Sequence, residues 1–230
     1  MKRMRERSHS TICLVVSFFL LWQGCASYKP YSYPQLRPDE TPYHKVSGKI
    51  KAGVLPLVNQ ERMSQFFEKN LRKEDVLPVL LTFDNADASS YELNTSEIKL
   101  IAPDGKELKR LSFDRVYGVF RKSVGARFFG GFLGGAATAA ATLLILLPAI
   151  VIMPVMSVMN AKEVNRQIKN DIREKAFADV GYLHPHSTQQ GFVFFDWKEG
   201  RDLTGSLLKI NGIRSTRGKD SQPVDIEVVF

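Results

Sequence analysis

The sequence predicts a mainly β fold with helices: an immunoglobulin-like β-sandwich interrupted by an apolar helical hairpin and an amphipathic helix. Three observations carry that expectation. Six or seven short runs of β-branched and aromatic residues, bounded by turn signals, fall into an early and a late group. Between the groups, Phe128 to Met159 contains no charged residue and lies between Arg127 and Lys162. Directly after it, AKEVNRQIKNDIREKAF repeats Val164, Ile168, Ile172 and Ala176 every four residues, the mark of an amphipathic helix.

The first 24 residues have the layout of a secretory signal. Lys2, Arg3, Arg5 and Arg7 make a basic start, Ile12 to Leu21 an apolar run, and Gly24 a small residue at the cleavage position. That run is too short to span a bilayer. The ending Leu21, Trp22, Gln23, Gly24, Cys25 resembles the lipobox of bacterial lipoproteins, with Trp22 where the motif usually has Leu. The resemblance implies cleavage after Gly24 and lipidation, palmitate included, of Cys25. Ala26 stands where Asp would mark inner-membrane retention, so the expectation is an outer-membrane lipoprotein facing the periplasm. Cys13 lies in the removed segment, which leaves the mature chain no thiol for a disulfide or metal cluster.

The net charge of +8 includes +3 from the signal, leaving +5 on the mature chain. In an envelope protein the nearest polyanion is the lipid surface, whereas nucleic acid is not met by an exported chain. The same +5 also serves simply as solubility charge.

Residues 25–45 read as the lipidated Cys followed by a tether, since 26–45 hold four prolines and four tyrosines without a hydrophobic period. Residues 46–127 form the first part of the sandwich. Val46 to Val58 is extended in character, and Met63, Phe66, Phe67 and Leu71 fall on one helical face that Asn59 caps. PVLLTFDN reads as a strand and YELNTSEIKLIA as a second extended stretch. The turn PDG, with Pro103 and Gly105, lets KELKRLSF pair back as a hairpin.

Residues 160–178 are the amphipathic helix. Asn160 and Glu163 resemble a capping box, Met159 and Val164 a hydrophobic staple, and Asp171 with Lys175 a favourable pair on the wet side. Residues 179–230 supply the last strands, GFVFFDW, LTGSLLKING and QPVDIEVVF; the first is apolar on both faces, as suits a central strand covered on both sides. VLPVLLTFDNA, the Gly and Ala rich insert, the helix beginning near Asn160 and GFVFFDW together resemble a group of uncharacterised bacterial lipoproteins over most of residues 46 to 230. That resemblance implies the sandwich with its insert and brings no activity.

The insert, 128–159, is the most informative stretch. Phe128 to Leu147 would reach about 30 Å as a helix, one bilayer crossing, while Ala149 to Met159 is short and interrupted by Pro154. A single crossing would separate the early strands from the late ones, so a hairpin that enters and returns is the expectation. Gly130 with Gly134, and Gly131 with Gly135, form overlapping G-x-x-x-G pairs of a glycine zipper, spaced for close helix packing. The arms pack on each other, copies of the chain associate, or the hairpin lies against the body. Membrane lipid, a second copy and an envelope protein are accordingly the expected partners.

No catalytic, cofactor or metal motif emerges. His184 and His186 flank Pro185, with His44 far away, a weak ligand set that reads as a solvent-facing turn. No G-x-S-x-G elbow, HExxH helix or phosphate-binding glycine loop is present. A non-catalytic role is therefore expected.

Overall fold

A computed structural model describes residues 34–121, 162–198, 202–217 and 223–230. The chain divides into two compact units, Met1–Lys29 with Lys122–Val164, and Pro30–Arg121 with Asn165–Phe230. The second holds the strands.

In chain order these are β1 (Tyr43–Ser47), β2 (Ile50–Pro56), β3 (Val76–Asn85), β4 (Tyr91–Asn94), β5 (Ile98–Ile101), β6 (Glu107–Leu108), β7 (Val180–Leu183), β8 (Ser187–Asp196), β9 (Leu207–Ser215) and β10 (Val224–Val229). They make a mainly β fold of two antiparallel sheets with few helices. The first sheet has the order β1-β2-β3-β8. In the second, β9 is the hub: β5 and β4 take successive halves of one edge, and β10 takes the other. The halves meet at Gly212, whose φ of +76° lies in the left-handed region and where a Cβ would collide with the Glu97 carboxylate. The register with β10 shifts at the same place, and the Gly212 N–H donates to Asp225 Oδ1 at 3.2 Å.

Strand alternation sends Leu77, Val79, Leu81 and Phe83 of β3, with Val193 and Phe195 of β8, into a core shared with Leu208, Ile210 and Ile226 of the second sheet. The opposite face of β8 is also apolar. Phe192 stacks near Phe66 and Phe67, with centroids 5.4 and 4.9 Å apart, and Phe194 lies 6.2 Å from Phe67. GFVFFDW is thus covered on both sides, yet β8 is last in the pairing order rather than central. Its outer edge is closed by irregular chain: Leu111 N–H donates to Phe194 O at 2.8 Å and Phe177 N–H to Phe192 O at 3.0 Å. The second sheet instead turns a polar outer face to water, crossed by Lys99–Glu107 at 3.0 Å, Lys209–Glu227 at 2.7 Å and Arg214–Glu97 at 3.7 Å.

Pro56 and Pro78 sit inside strands where a missing donor does little harm. Leu57 N–H donates to Pro78 O at 2.9 Å, so Pro78 faces β2 just beyond its end. By alternation Pro56 faces β1, whose pairing stops at Tyr43–Val54.

The tether expected over residues 26–45 is shorter than the composition suggested. Pro38–Glu40 forms a 3-10 turn and Tyr43 opens β1, with Pro38 and Thr41 buried. The stretch lies on β2 because Gly53 leaves room: a Cβ there would stand 2.6 Å from Pro38 Cα and 2.7 Å from Thr82 Cγ2. Proline and tyrosine here supply fixed dihedrals and ring area for packing, as in Tyr43 against Phe230 at 5.0 Å.

Other elements depart from expectation in detail. The helix begun by Asn59, which accepts from Arg62 N–H at 2.9 Å, runs only Gln60–Ser64, and Leu71–Glu74 follows as a 3-10 turn ended by Asp75 at φ +56°. Met63, Phe66, Phe67 and Leu71 are nevertheless all buried. The PDG turn holds, with Gly105 at φ +79° and a short β5–β6 hairpin. Strand β7 and the helix Phe113–Phe120 were not expected.

Asn85 joins the sheets at one corner. Fully buried at the end of β3, it donates through Nδ2 to Ser89 O, Leu183 O and His184 O at 2.8, 3.2 and 3.0 Å, and its Oδ1 accepts from Asp87 N–H at 3.0 Å. Asn85→Ala strands those carbonyls without filling their place and is expected to destabilise the body by about 1–3 kcal/mol. Denaturant unfolding should show a lower midpoint at unchanged slope.

Candidate functional site: the stem of the insert

Two helices flank the apolar insert in sequence, and in the body they lie together. Ser112 caps the first, accepting from Arg115 N–H at 3.4 Å, and Val116, Val119 and Phe120 bury its inner side. Phe113 and Tyr117 stack one turn apart, centroids 6.2 Å and planes 3° from parallel. The second helix spans 162–175. Its Arg173 guanidinium lies 5.5 Å from the Phe113 centroid, and Lys169 Nζ lies 5.8 Å from that of Tyr117.

These contacts fix an antiparallel register. As the first helix advances from 113 to 117 the second recedes from 173 to 169, one turn or about 6 Å for each. The body's chain breaks off at Arg121, just after the first helix, and resumes at Asn165, within the second. The two helices therefore form an antiparallel stem.

A buried ion pair within the second helix fastens the stem to the Phe66–Phe67 segment that covers the first sheet. Lys175 Nζ donates to Asp171 Oδ2 at 2.7 Å and to Phe66 O at 3.0 Å, and lies 5.6 Å from the Phe67 centroid. The side chains are only 2% and 6% exposed, so this pair is not on the wet side of the helix as expected. The helix is covered over more than the apolar stripe because the aromatic layer closes over it. Lys69 ties the other helix, donating from Nζ to Val119 O at 2.9 Å while pairing with Glu74 at 2.7 Å. Phe120 adds its ring 5.9 Å from Phe67.

At the foot of the stem lies a cleft of about 360 Å³ whose floor is the edge of β8 at Phe192–Phe194. Arg110 Nη2 meets Asp179 Oδ1 across it at 3.2 Å, with Ser112, Phe113 and Phe177 on its walls. A second cleft of about 350 Å³ is lined by Pro34, Leu36, Arg62 and Phe66. The groups with displaced titration lie away from both. The Tyr91 hydroxyl donates to Asp87 at 2.7 Å, holding that carboxyl below its ordinary range and raising the tyrosine. Asp202 is lowered by the N–H and hydroxyl of Thr204, and Glu227 by its hydrogen bond to Lys209. Each shift is explained by a turn or a cross-strand pair.

The residues singled out for lipidation, cleavage and helix packing, namely Gly24, Cys25, Gly130, Gly131, Gly134 and Gly135, lie outside the described residues. So do Met159 and Asn160 of the expected staple and capping box. His184 and His186 are exposed on the β7–β8 turn, His186 at φ +49°, and His44 is exposed on β1. Among the described residues no group of three or more His, Cys, Asp or Glu is placed to hold a metal ion, and no helix is long and apolar enough to cross a membrane.

No protein-family model matches this chain, and no curated protein is significantly similar to it. Among solved structures it is similar to the YjhA protein from Bacillus subtilis, at 9% identity and a TM-score of 0.42, over 81% of this chain and 95% of that one.

The buried ion pair gives the stem a measurable dependence. Lys175→Met leaves the Asp171 carboxylate in an apolar layer and is expected to cost about 3–5 kcal/mol in denaturant unfolding. Pairing it with Asp171→Leu should recover most of that loss.

Proposed function

We propose that this protein is a lipid-anchored component of the bacterial envelope, non-catalytic, whose body holds an apolar hairpin at a membrane. The observation that carries the reading is the stem. The helices before and after an uncharged run pack antiparallel on the same body, so a chain that enters a bilayer between them has to come back to that body. The signal-like N-terminus with Cys25 supports the anchor, and the likeness to lipoproteins over residues 46 to 230 supports the envelope. On this reading the two sheets are an immunoglobulin-like sandwich into which the hairpin is inserted, and the outer membrane is the site of attachment.

Arms of about 16 residues reach roughly 24 Å as helix, enough to enter a bilayer without comfortably crossing it. Gly130, Gly131, Gly134 and Gly135 then let the arms, or copies of the chain, pack closely. A second reading, an adaptor that takes an added strand from another envelope protein, is favoured by one feature. Strand β7 borders the second sheet with Val180 47% and Tyr182 49% exposed.

Two experiments decide. Exporting the chain from residue 26 behind a non-lipid signal is expected to lower the membrane-bound fraction, and Leu144→Arg in that background to abolish the remainder. Full retention after both changes sinks the reading. Gly131→Leu with Gly135→Leu is expected to remove crosslinked oligomers; unchanged crosslinking assigns the glycines to contacts within one hairpin.

A further inference from the structure

The chain reaches the body at two places next to the segments assigned to the membrane, and both are on one face. The first is the N-terminal entry. Pro34 O accepts from Gln190 Nε2 at 3.0 Å, Leu36 N–H donates to Gln190 Oε1 at 2.9 Å, and Thr82 Oγ1 donates to Leu36 O at 2.7 Å. Thr82 and Gln190 are cross-strand partners two residues along from Leu80 and Phe192. By alternation they share the outer face of the first sheet with the aromatic layer. The stem is the second place, and Phe66 and Phe67 fasten it to that same face.

Charge divides in the same sense. The stretches 60–74, 113–121 and 162–175, which form this helical layer, contain eleven Lys and Arg against seven Asp and Glu. Two pairs, Lys69–Glu74 and Lys175–Asp171, lie within that count and leave nine against five; on the far side of the body, Lys99, Lys209 and Arg214 are each paired with a glutamate.

We propose that the helical layer over the first sheet is the surface the body turns toward an anionic bilayer, with the ion-paired face of the second sheet turned away. This rests on the membrane reading above and adds an orientation to it. Eight residues lie between Cys25 and Pro34, nine Cα steps with a reach of at most about 32 Å, so a lipidated Cys25 keeps the Gln190 end of the layer close to the headgroups. The stem supplies a second point of attachment on the same face. The excess of exposed basic side chains, Arg62, Lys73 and Arg115 among them, then acts within a Debye length of about 10 Å from anionic headgroups.

The mature chain has no thiol besides Cys25, so single labels are clean. A fluorophore at Lys73→Cys or Arg115→Cys, and for comparison at Lys99→Cys or Arg214→Cys, is introduced into the lipidated full chain on vesicles of phosphatidylethanolamine and phosphatidylglycerol. Quenching by headgroup-borne nitroxide is expected to be several-fold stronger at 73 and 115 than at 99 and 214. The difference should shrink in high salt and when Arg62 and whichever of Lys73 and Arg115 is unlabelled are both changed to Glu. Thermal melts matching the parent show that the labelled chains are folded. Equal or reversed quenching in protein that floats with the vesicles overturns the orientation alone. Failure to float overturns the membrane reading and the orientation with it.

Discussion

The first sheet has two apolar faces, and most of the architecture follows from having to cover both. One face of β3 and β8 packs on the second sheet. The other presents Leu80, Phe192 and Phe194, which among the described residues no third sheet meets. A strand left with such a face in water would lose on the order of 2 kcal/mol for each large side chain exposed. The cover is therefore assembled from whatever the connections supply: the Met63 to Leu71 stretch, the Phe113–Phe120 helix and the 162–175 helix.

Because two of those elements flank the insert, one layer serves two ends. It seals the sheet, and it packs the helix before the insert against the helix after it. Ordinary packing thereby fixes where the body's chain leaves and resumes. The buried Lys175–Asp171 pair belongs to the same layer: with Phe66 O as a further acceptor, the lysine is satisfied in a site where an unpaired charge would be costly.

Much of this was legible in the residues. GFVFFDW announced a strand without a wet face, Asn59 announced its cap, and PDG its reversal. What misled was the helix of 162–175. Taking Val164, Ile168 and Ile172 at a strict spacing of four lets the stripe drift by about 40° at each step, because a turn holds 3.6 residues. Corrected for that drift, the buried stripe runs through 164, 168, 171 and 175, so the charged pair lies on it. The Tyr and Pro rich stretch misled for another reason: composition reports a lack of periodicity, and the seat that Gly53 makes for Pro38 comes from a strand elsewhere in the chain.

The sequence by itself determined the β-rich class and the positions of most strands and turns within a few residues, and it marked an uncharged run off from its charged flanks, because period, turn chemistry and charge are local properties. The tertiary structure decided what lies beside what. The pairing of Phe113 with Arg173, the shared face of Pro34 and the stem, and the closed edge of β8 join residues dozens of positions apart. No local pattern encodes such contacts, since each depends on two distant segments competing for the same apolar face.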